Sequence, residues 1–539
     1  MTKQTFLHGA LILVAAGLIT RLLGFINRIV VARIMGEEGM GLYMMALPTL
    51  ILVTTITQFG LPVAISKRVS EAEANGDETQ IKRILVISLS ITGSLSLIFT
   101  AGLFLFAPIV AEYFLTDARA MAPLLAVTPI IPITAVSAVL RGYFQGRQNM
   151  KPQAISQVIE QIVRITTVAF LTKLFYPYGV QYAAAGAMIA VIIGEFVSLL
   201  YMTRQFALHK TFKWRKSWKK HIQEGKETLQ QLMTIAIPTS GSRLIGSLTY
   251  FFEPILVAQS LAIAGLTAVE TTKQYGGLTG YILPLLFLPT FLTHALGVSL
   301  VPSISESAAK KQFGTINYRI LQAIRLSLAS GGLITVIYVL FPVATLSIVY
   351  GTDQGGFLLQ FMAPFFLMHY IQTPLQASLQ ALDLAKSAMW NTLIGAAVKF
   401  IVLAVLSSQP EFGINGVAVA MVVGSVIVTL LHLSVLVRAT SFTFPFQMLF
   451  KFLTVLIITA GAGYILHEQG YFSSSPLVEL LIISIVLAAV YICLLFKLKL
   501  LTKDEWHMIP GISLGKSNRE HYGFFSAGKF YSEESANGT

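Results

Sequence analysis

The stretch Thr20-Arg21-Leu22-Leu23-Gly24-Phe25-Ile26-Asn27-Arg28 places two guanidinium groups inside the first long apolar run of the chain. An arginine at the centre of a membrane helix costs about 2.5–3.5 kcal/mol on insertion scales, so such a residue is expected to face a bundle interior or a watery cavity. Arg21 and Arg28 are seven apart and fall within roughly 20° of each other on one helical face, which Gly17 and Gly24 share. Ser242-Arg243-Leu244-Ile245-Gly246 repeats the pattern of 20–24, so two halves of the chain are each expected to bring an arginine to one cavity. Guanidinium stays charged and grips phosphate oxygens in bidentate fashion. Arg21, Arg28 and Arg243 therefore suit a phosphate or diphosphate head group. The plainer alternatives are that Arg28 snorkels to a membrane edge, or that each arginine only pairs with a carboxylate.

Further ionisable residues lie within apolar segments. Glu160 and Arg164 are four apart and can pair along a helix, with Gln157 and Gln161 extending the polar face, either as a structural ion pair or as cavity lining. Lys399 occupies the matching place in the second half with no carboxylate four residues before it, so it is expected to lack a local partner. Arg164 and Lys399 would then add positive potential to the cavity. Glu253 and Glu195 are intramembrane carboxylates that can carry a proton, help bind Na⁺, or neutralise an arginine. Lys273 and Glu270 read as solvated boundary residues, and His294, His369 and His432 as hydrogen-bonded packing residues. Walker A, His-Glu-x-x-His and nucleophile-elbow patterns are absent. The single cysteine, Cys493, allows no disulfide within the chain and no cysteine metal site. The expectation is a non-enzyme with no cofactor and no metal, and ATP-driven transport would need a partner subunit.

The elements that must hold these residues are membrane helices. The chain has 539 residues, 55% hydrophobic and only 12% charged, with mean hydropathy +0.72; a soluble domain is nearer 25% charged. Fourteen apolar segments are predicted, at 6–33, 41–66, 83–111, 120–146, 152–176, 182–206, 228–260, 274–306, 315–341, 355–382, 387–407, 413–437, 448–467 and 476–497. The first is read as a retained helix, since Arg21 and Arg28 interrupt it and no cleavage site stands out. Net charge is +13, and the basic residues cluster in alternate loops, so the excess reads as a positive-inside bias and attraction to anionic membrane lipids, with no nucleic-acid partner. One set of loops carries Lys67, Arg68, Lys82, Arg83, Arg141, Arg147, Lys151, Lys310, Lys311, Arg319 and Lys386; the other carries Glu37, Glu38, Glu112, Asp117, Asp353, Glu411 and Glu468. This alternation predicts a multi-pass cell-membrane protein with both termini cytoplasmic.

The halves look related. Pro129, Gln145, Lys151 and Arg164 match Pro364, Gln380, Lys386 and Lys399 at an offset of 235; Gly186 and Gly194 match Gly416 and Gly424 at 230; Arg21 and Gly24 match Arg243 and Gly246 at 222. The predicted fold is all-α and polytopic, about fourteen transmembrane helices in two six-helix lobes related by a parallel internal repeat, plus two extra C-terminal helices. The expected divisions are an N-terminal lobe at 1–206, a basic cytoplasmic linker at 207–227, a C-terminal lobe at 228–438, two extra helices at 439–500, and a cytoplasmic tail at 501–539, disordered beyond about 515.

Several motifs carry a family resemblance. The opening Thr20-Arg21-Leu22-Leu23-Gly24-Phe25 with Ala32-Arg33-Ile34-Met35-Gly36, then Gln58-Phe59-Gly60-Leu61-Pro62-Val63-Ala64-Ile65-Ser66, then Arg141-Gly142-Tyr143-Phe144-Gln145-Gly146-Arg147-Gln148-Asn149-Met150, resemble the lipid II flippase and polysaccharide exporter branch of the multidrug/oligosaccharidyl-lipid/polysaccharide exporter superfamily. The resemblance covers essentially 1–510. It implies two lobes in a V around a central cationic cavity, and alternating access that moves an undecaprenyl-pyrophosphate-linked sugar between leaflets. A sporulation member of the branch implies a role in spore cortex peptidoglycan synthesis, with lipid II or a related precursor as cargo and peptidoglycan-synthesis enzymes as candidate partners. In lipid II flippases of the branch, arginines line the cavity on the first, second and eighth helices, and Arg21 matches the first-helix position. Two departures stand out: Asn27-Arg28 replaces an Arg-Asp pair, and the second segment has no mid-helix arginine. Two rival readings are a cation-coupled drug antiporter of the same fold, disfavoured by the basic midplane, and a non-transporting scaffold for cortex-synthesis enzymes.

Overall fold

Apolar runs of 20 or more residues leave the backbone no partner but itself in a lipid interior, so each run must close its hydrogen bonds as helix. The computed structural model describes residues 6–210, 225–440, 442–443, 445–468 and 476–501, and among these every regular element is helical. Most of the basic linker and nearly all of the expected tail lie outside the described residues. In chain order the helices are α1 (Phe6–Gln58), α2 (Leu61–Ala74), α3 (Glu78–Ile109), α4 (Met121–Val127), α5 (Ile130–Gly146), α6 (Lys151–Phe175), α7 (Val180–His209), α8 (Lys226–Ile263), α9 (Ala268–Gly276), α10 (Leu283–Leu286), α11 (Thr290–Ala309), α12 (Phe313–Leu340), α13 (Pro342–Tyr350), α14 (Gly356–Ala381), α15 (Ala385–Ser407), α16 (Gly413–Thr440), α17 (Phe446–Glu468) and α18 (Pro476–Lys497).

Among the described residues, ten helices are long and apolar enough to cross a membrane, or twelve if 118–146, bent by 40°, and 268–309, bent by 55°, each count as one span. The chain is thus a multi-pass membrane protein of ten to twelve candidate spans, against the fourteen expected. The difference has two sources. The first two expected segments lie in one 60-residue unit, Ala15–Ala74, divided at Gly36, whose φ of 68° and ψ of −174° only glycine adopts readily. The second is α14, where Gln360, His369, Gln372, Gln376 and Gln380 dilute the apolar run.

Among the first seven helices, α6 packs on α7 and α1, while α5 is flanked by α2 and α3; among the later ones, α14 packs on α11, α12 and α16, and α15 on α16. The last two, α17 and α18, pack on each other and on α12. Lipid tails supply no hydrophobic drive between helices, so close backbone approach at small residues holds such pairs together. Two pairs do this at matching places. A Cβ at Gly194 of α7 would stand 2.9 Å from the Glu160 carbonyl oxygen and 3.3 Å from the Arg164 Cβ. A Cβ at Gly424 of α16 would stand 2.9 Å from the Lys399 Cβ and 3.4 Å from the Gly395 carbonyl oxygen. Glu160 and Gly395 share the 235-residue offset of Arg164 and Lys399. One residue spacing therefore builds the same glycine contact twice.

Candidate functional site

Among the described residues, two groups of paired carboxylates and cations lie within the apolar segments. In the first, Arg141 of α5 donates to Glu195 of α7 at 2.8 Å and lies 3.9 Å from Glu160 of α6, while Arg164 donates to Glu160 at 2.5 Å. Two arginines and two glutamates balance each other across three helices. The four-residue Glu160–Arg164 pairing stands as predicted, but Arg141 was placed among the loop charges. The structure corrects this: it lies within α5 and is tied to both carboxylates. Its position inside the apolar segment 120–146 was the available signal.

In the second group, Lys399 of α15 donates to Glu253 of α8 at 2.5 Å. The expectation that Lys399 lacks a local partner holds along its own helix, where Gly395 stands at the place of Glu160. It fails in space, because α15 packs on α8 and α8 supplies the carboxylate. The Lys399 ammonium also lies 5.1 Å from the centroid of the Phe400 ring. Glu195 and Glu253, read as candidate coupling carboxylates, are thus both engaged by cations.

Arg21, Arg28 and Arg243 differ from these. Among the described residues, no carboxylate lies within ion-pair distance of any of the three. Arg28 is half-buried and within electrostatic reach of Tyr43 of α1, Tyr250 of α8 and Tyr350 of α13. Tyr250 in turn is within reach of Glu253, three residues on along the same helix. Arg21 acts on His294 of α11. Arg243, exposed on α8, lies two turns before Tyr250, as Arg21 lies two turns before Arg28. Each two-turn step is about 10 Å at 1.5 Å per residue. Sequence reading missed the tyrosines, for which residue type gave no cue.

At the acidic end, α1 is clasped by the second half of the chain. Arg33 donates to the Val349 carbonyl at 2.8 Å and to that of Ile348. Tyr281 donates to the Ala32 carbonyl at 2.9 Å. Gly41 meets the Thr272 carbonyl and Gly276 meets that of Glu37, too closely for any side chain. Arg119 bridges Glu38 and Asp117, and Asp117 also accepts from Thr272 at 2.7 Å. Burial works to raise the Asp117 carboxyl, but the hydrogen bonds from Arg119 and Thr272 outweigh it and hold the group below the usual carboxylate range.

The remaining candidates have local roles. His369 pairs with Ser425 at 3.0 Å and His432 with Asn391 at 3.1 Å. Glu270 and Thr267 cap α9 reciprocally. No group of three or more His, Cys, Asp or Glu that could hold a metal ion occurs among the described residues.

The class this defines is a helical multi-pass membrane protein whose apolar helices carry three arginines with no carboxylate partner among the described residues, beside neutralised ion pairs. The family follows from comparison: residues 6–308 match the family described as polysaccharide biosynthesis protein, and the chain belongs to that family. It is 52% identical over 510 residues to "Stage V sporulation protein B" of Bacillus subtilis (strain 168), covering 95% of this chain and 98% of that one. It is 25% identical over 433 residues to "Lipid II flippase MurJ" of the same organism, covering 74% of this chain and 77% of that one. A solved structure, "Lipid II flippase MurJ, inward closed conformation", shares the fold at TM-score 0.67 and 15% identity, covering 90% of this chain and 98% of that one.

Proposed function

We propose that this protein is a flippase that moves a lipid-linked, diphosphate-bearing sugar across the cell membrane by alternating access. The observation that carries the reading is the contrast in charge compensation: Arg141, Arg164 and Lys399 are each paired, while Arg21, Arg28 and Arg243 have no carboxylate partner among the described residues. Uncompensated arginine inside a membrane protein is unfavourable unless an anion completes it. A diphosphate supplies two adjacent groups that guanidinium forks can grip.

The same reading assigns the cargo to lipid II or a related peptidoglycan precursor and the role to spore cortex synthesis; similarity to the sporulation protein and to the lipid II flippase supports it. Two lobes, 1–206 and 228–438, would rock about the cargo, with both termini cytoplasmic as the alternation of loop charge indicates. Membrane potential or a cation gradient would drive the cycle.

The test uses purified protein in liposomes carrying fluorescent lipid II, with and without an imposed potential, read as label accessible from the far side. Wild-type protein should translocate the label, and Arg21→Ala/Arg243→Ala should not while still inserting. Absence of translocation by folded wild-type protein under every gradient would count against the cargo; transport by the double variant would count against the arginines.

A further inference from the structure

Glu253 and Lys399 form the one interior ion pair, among the described residues, that joins α8 to α15. Three features set this pair apart from the Arg141–Glu195–Glu160–Arg164 cluster. It has a single carboxylate and a single cation, whereas the cluster is cross-braced by three contacts. No carboxylate stands four residues before its cation, because Gly395 occupies the place of Glu160. It is also linked to one of the unpaired arginines: Tyr250 is within electrostatic reach of both Glu253 and Arg28.

The root of the Lys399 side chain is held against a neighbouring helix. Its Cβ is packed against Gly424, so the ammonium cannot follow a departing partner by moving the helix. The pair is not sealed: the Lys399 and Glu253 side chains remain 16% and 12% exposed. A partly exposed cation already holding a carboxylate is an arrangement in which a second anion can compete with the first.

We infer that Glu253 is an intramolecular competitor for the diphosphate of the cargo at Lys399. In the empty protein the Glu253 carboxylate occupies the ammonium; a diphosphate held by Arg28 reaches the same nitrogen and displaces it. The displaced carboxylate reclaims Lys399 as the cargo leaves, which weakens the bound state and speeds release. This rests on the proposed function, since it takes a diphosphate as the ligand. It makes Glu253 a determinant of affinity whose removal tightens binding, the opposite of what loss of a supporting contact does.

The experiment measures binding of inorganic pyrophosphate, and in a second arm farnesyl diphosphate, to the full-length protein in nanodiscs. Glu253→Gln should bind about tenfold more tightly than wild type, the worth of about one charge-assisted hydrogen bond. Lys399→Met added to Glu253→Gln should remove that gain. In wild-type protein, saturating pyrophosphate should raise carbodiimide labelling of Glu253, read by mass spectrometry, which checks the exchange without any substitution. A gain with inorganic pyrophosphate shows that free diphosphate suffices; a gain with farnesyl diphosphate alone assigns the exchange to a lipid-borne head group. Equal or weaker binding by Glu253→Gln, with binding still dependent on Arg28, overturns the exchange and leaves the flippase reading intact. Unchanged labelling of Glu253 at saturation overturns it as well. Absence of diphosphate binding by both proteins, or binding indifferent to Arg28→Ala, overturns both.

Discussion

Arg28 and Arg164 are both interior arginines, and their surroundings assign them opposite kinds of work. Arg164 is held by Glu160 at 2.5 Å within a balanced cluster, whereas Arg28 has tyrosines near it and no carboxylate. Arg164→Ala leaves Glu160 and Glu195 sharing only Arg141. Breaking one side of a buried pair costs about 3 kcal/mol, so the thermal unfolding midpoint in detergent should fall by several degrees. Arg28→Ala removes an uncompensated charge, so the same measurement should show an unchanged or higher midpoint while lipid II translocation is lost. If both variants lost stability together, Arg28 would have to be read as a structural residue.

At the scale of elements, α15 and α16 are spaced by Gly424 as α6 and α7 are by Gly194. Gly424→Val would drive a branched side chain into the Lys399 stem and Gly395 backbone. Overpacking of this kind costs about 1–3 kcal/mol, and it should also shift Lys399 from Glu253. Gly194→Val should act likewise on Arg164. A Cβ added at Gly93 of α3 would meet nothing within 4 Å, so Gly93→Ala should hold or raise the midpoint by the helix propensity gained, about 0.5–1 kcal/mol. Circular dichroism melts of the three variants side by side would show whether the glycines act by spacing or merely by composition.

For the whole molecule, the joint at the acidic end ties α1 to α9 and α13, and the alternating access proposed above would require it to open. Asp117 is its buried centre, with Arg119 and Thr272 bonded to it. Its carboxyl is held below the usual value, so its contribution to stability is present above the unfolded pKa of about 3.9 and is lost as the pH falls through the lower folded value. Asp117→Asn should cost about 2 kcal/mol at pH 7, allowing for the partly exposed Arg119, and should flatten the acid limb of a midpoint-versus-pH curve. A variant as acid-sensitive as wild type would remove Asp117 from that role. Asp117→Cys/Thr272→Cys, in a Cys493→Ser background and bridged by a short thiol crosslinker, should stop translocation in liposomes. A cleavable crosslinker should restore it, and continued transport by the bridged protein would mean that this joint does not open.

The membrane class and the helical fold were legible in the sequence, because both depend on local quantities. Runs of apolar residues decide helix in lipid, and the offset of 235 that matched Arg164 to Lys399 reappears as one glycine contact built twice. The Glu160–Arg164 pair was legible for the same reason, since four residues along a helix fix two side chains on one face. Partners contributed by other helices were not. Lys399 was expected to stand alone, and Arg141 was counted with the loops, because spacing along one helix carries no information on what a neighbouring helix presents. Only the packing of α8 against α15 brought Glu253 to Lys399, and only the meeting of α5, α6 and α7 closed the four-residue cluster. Charge compensation is a property of three-dimensional neighbourhood, falling off with distance in space. Packing between helices therefore settled which of these cations have a carboxylate partner among the described residues and which do not.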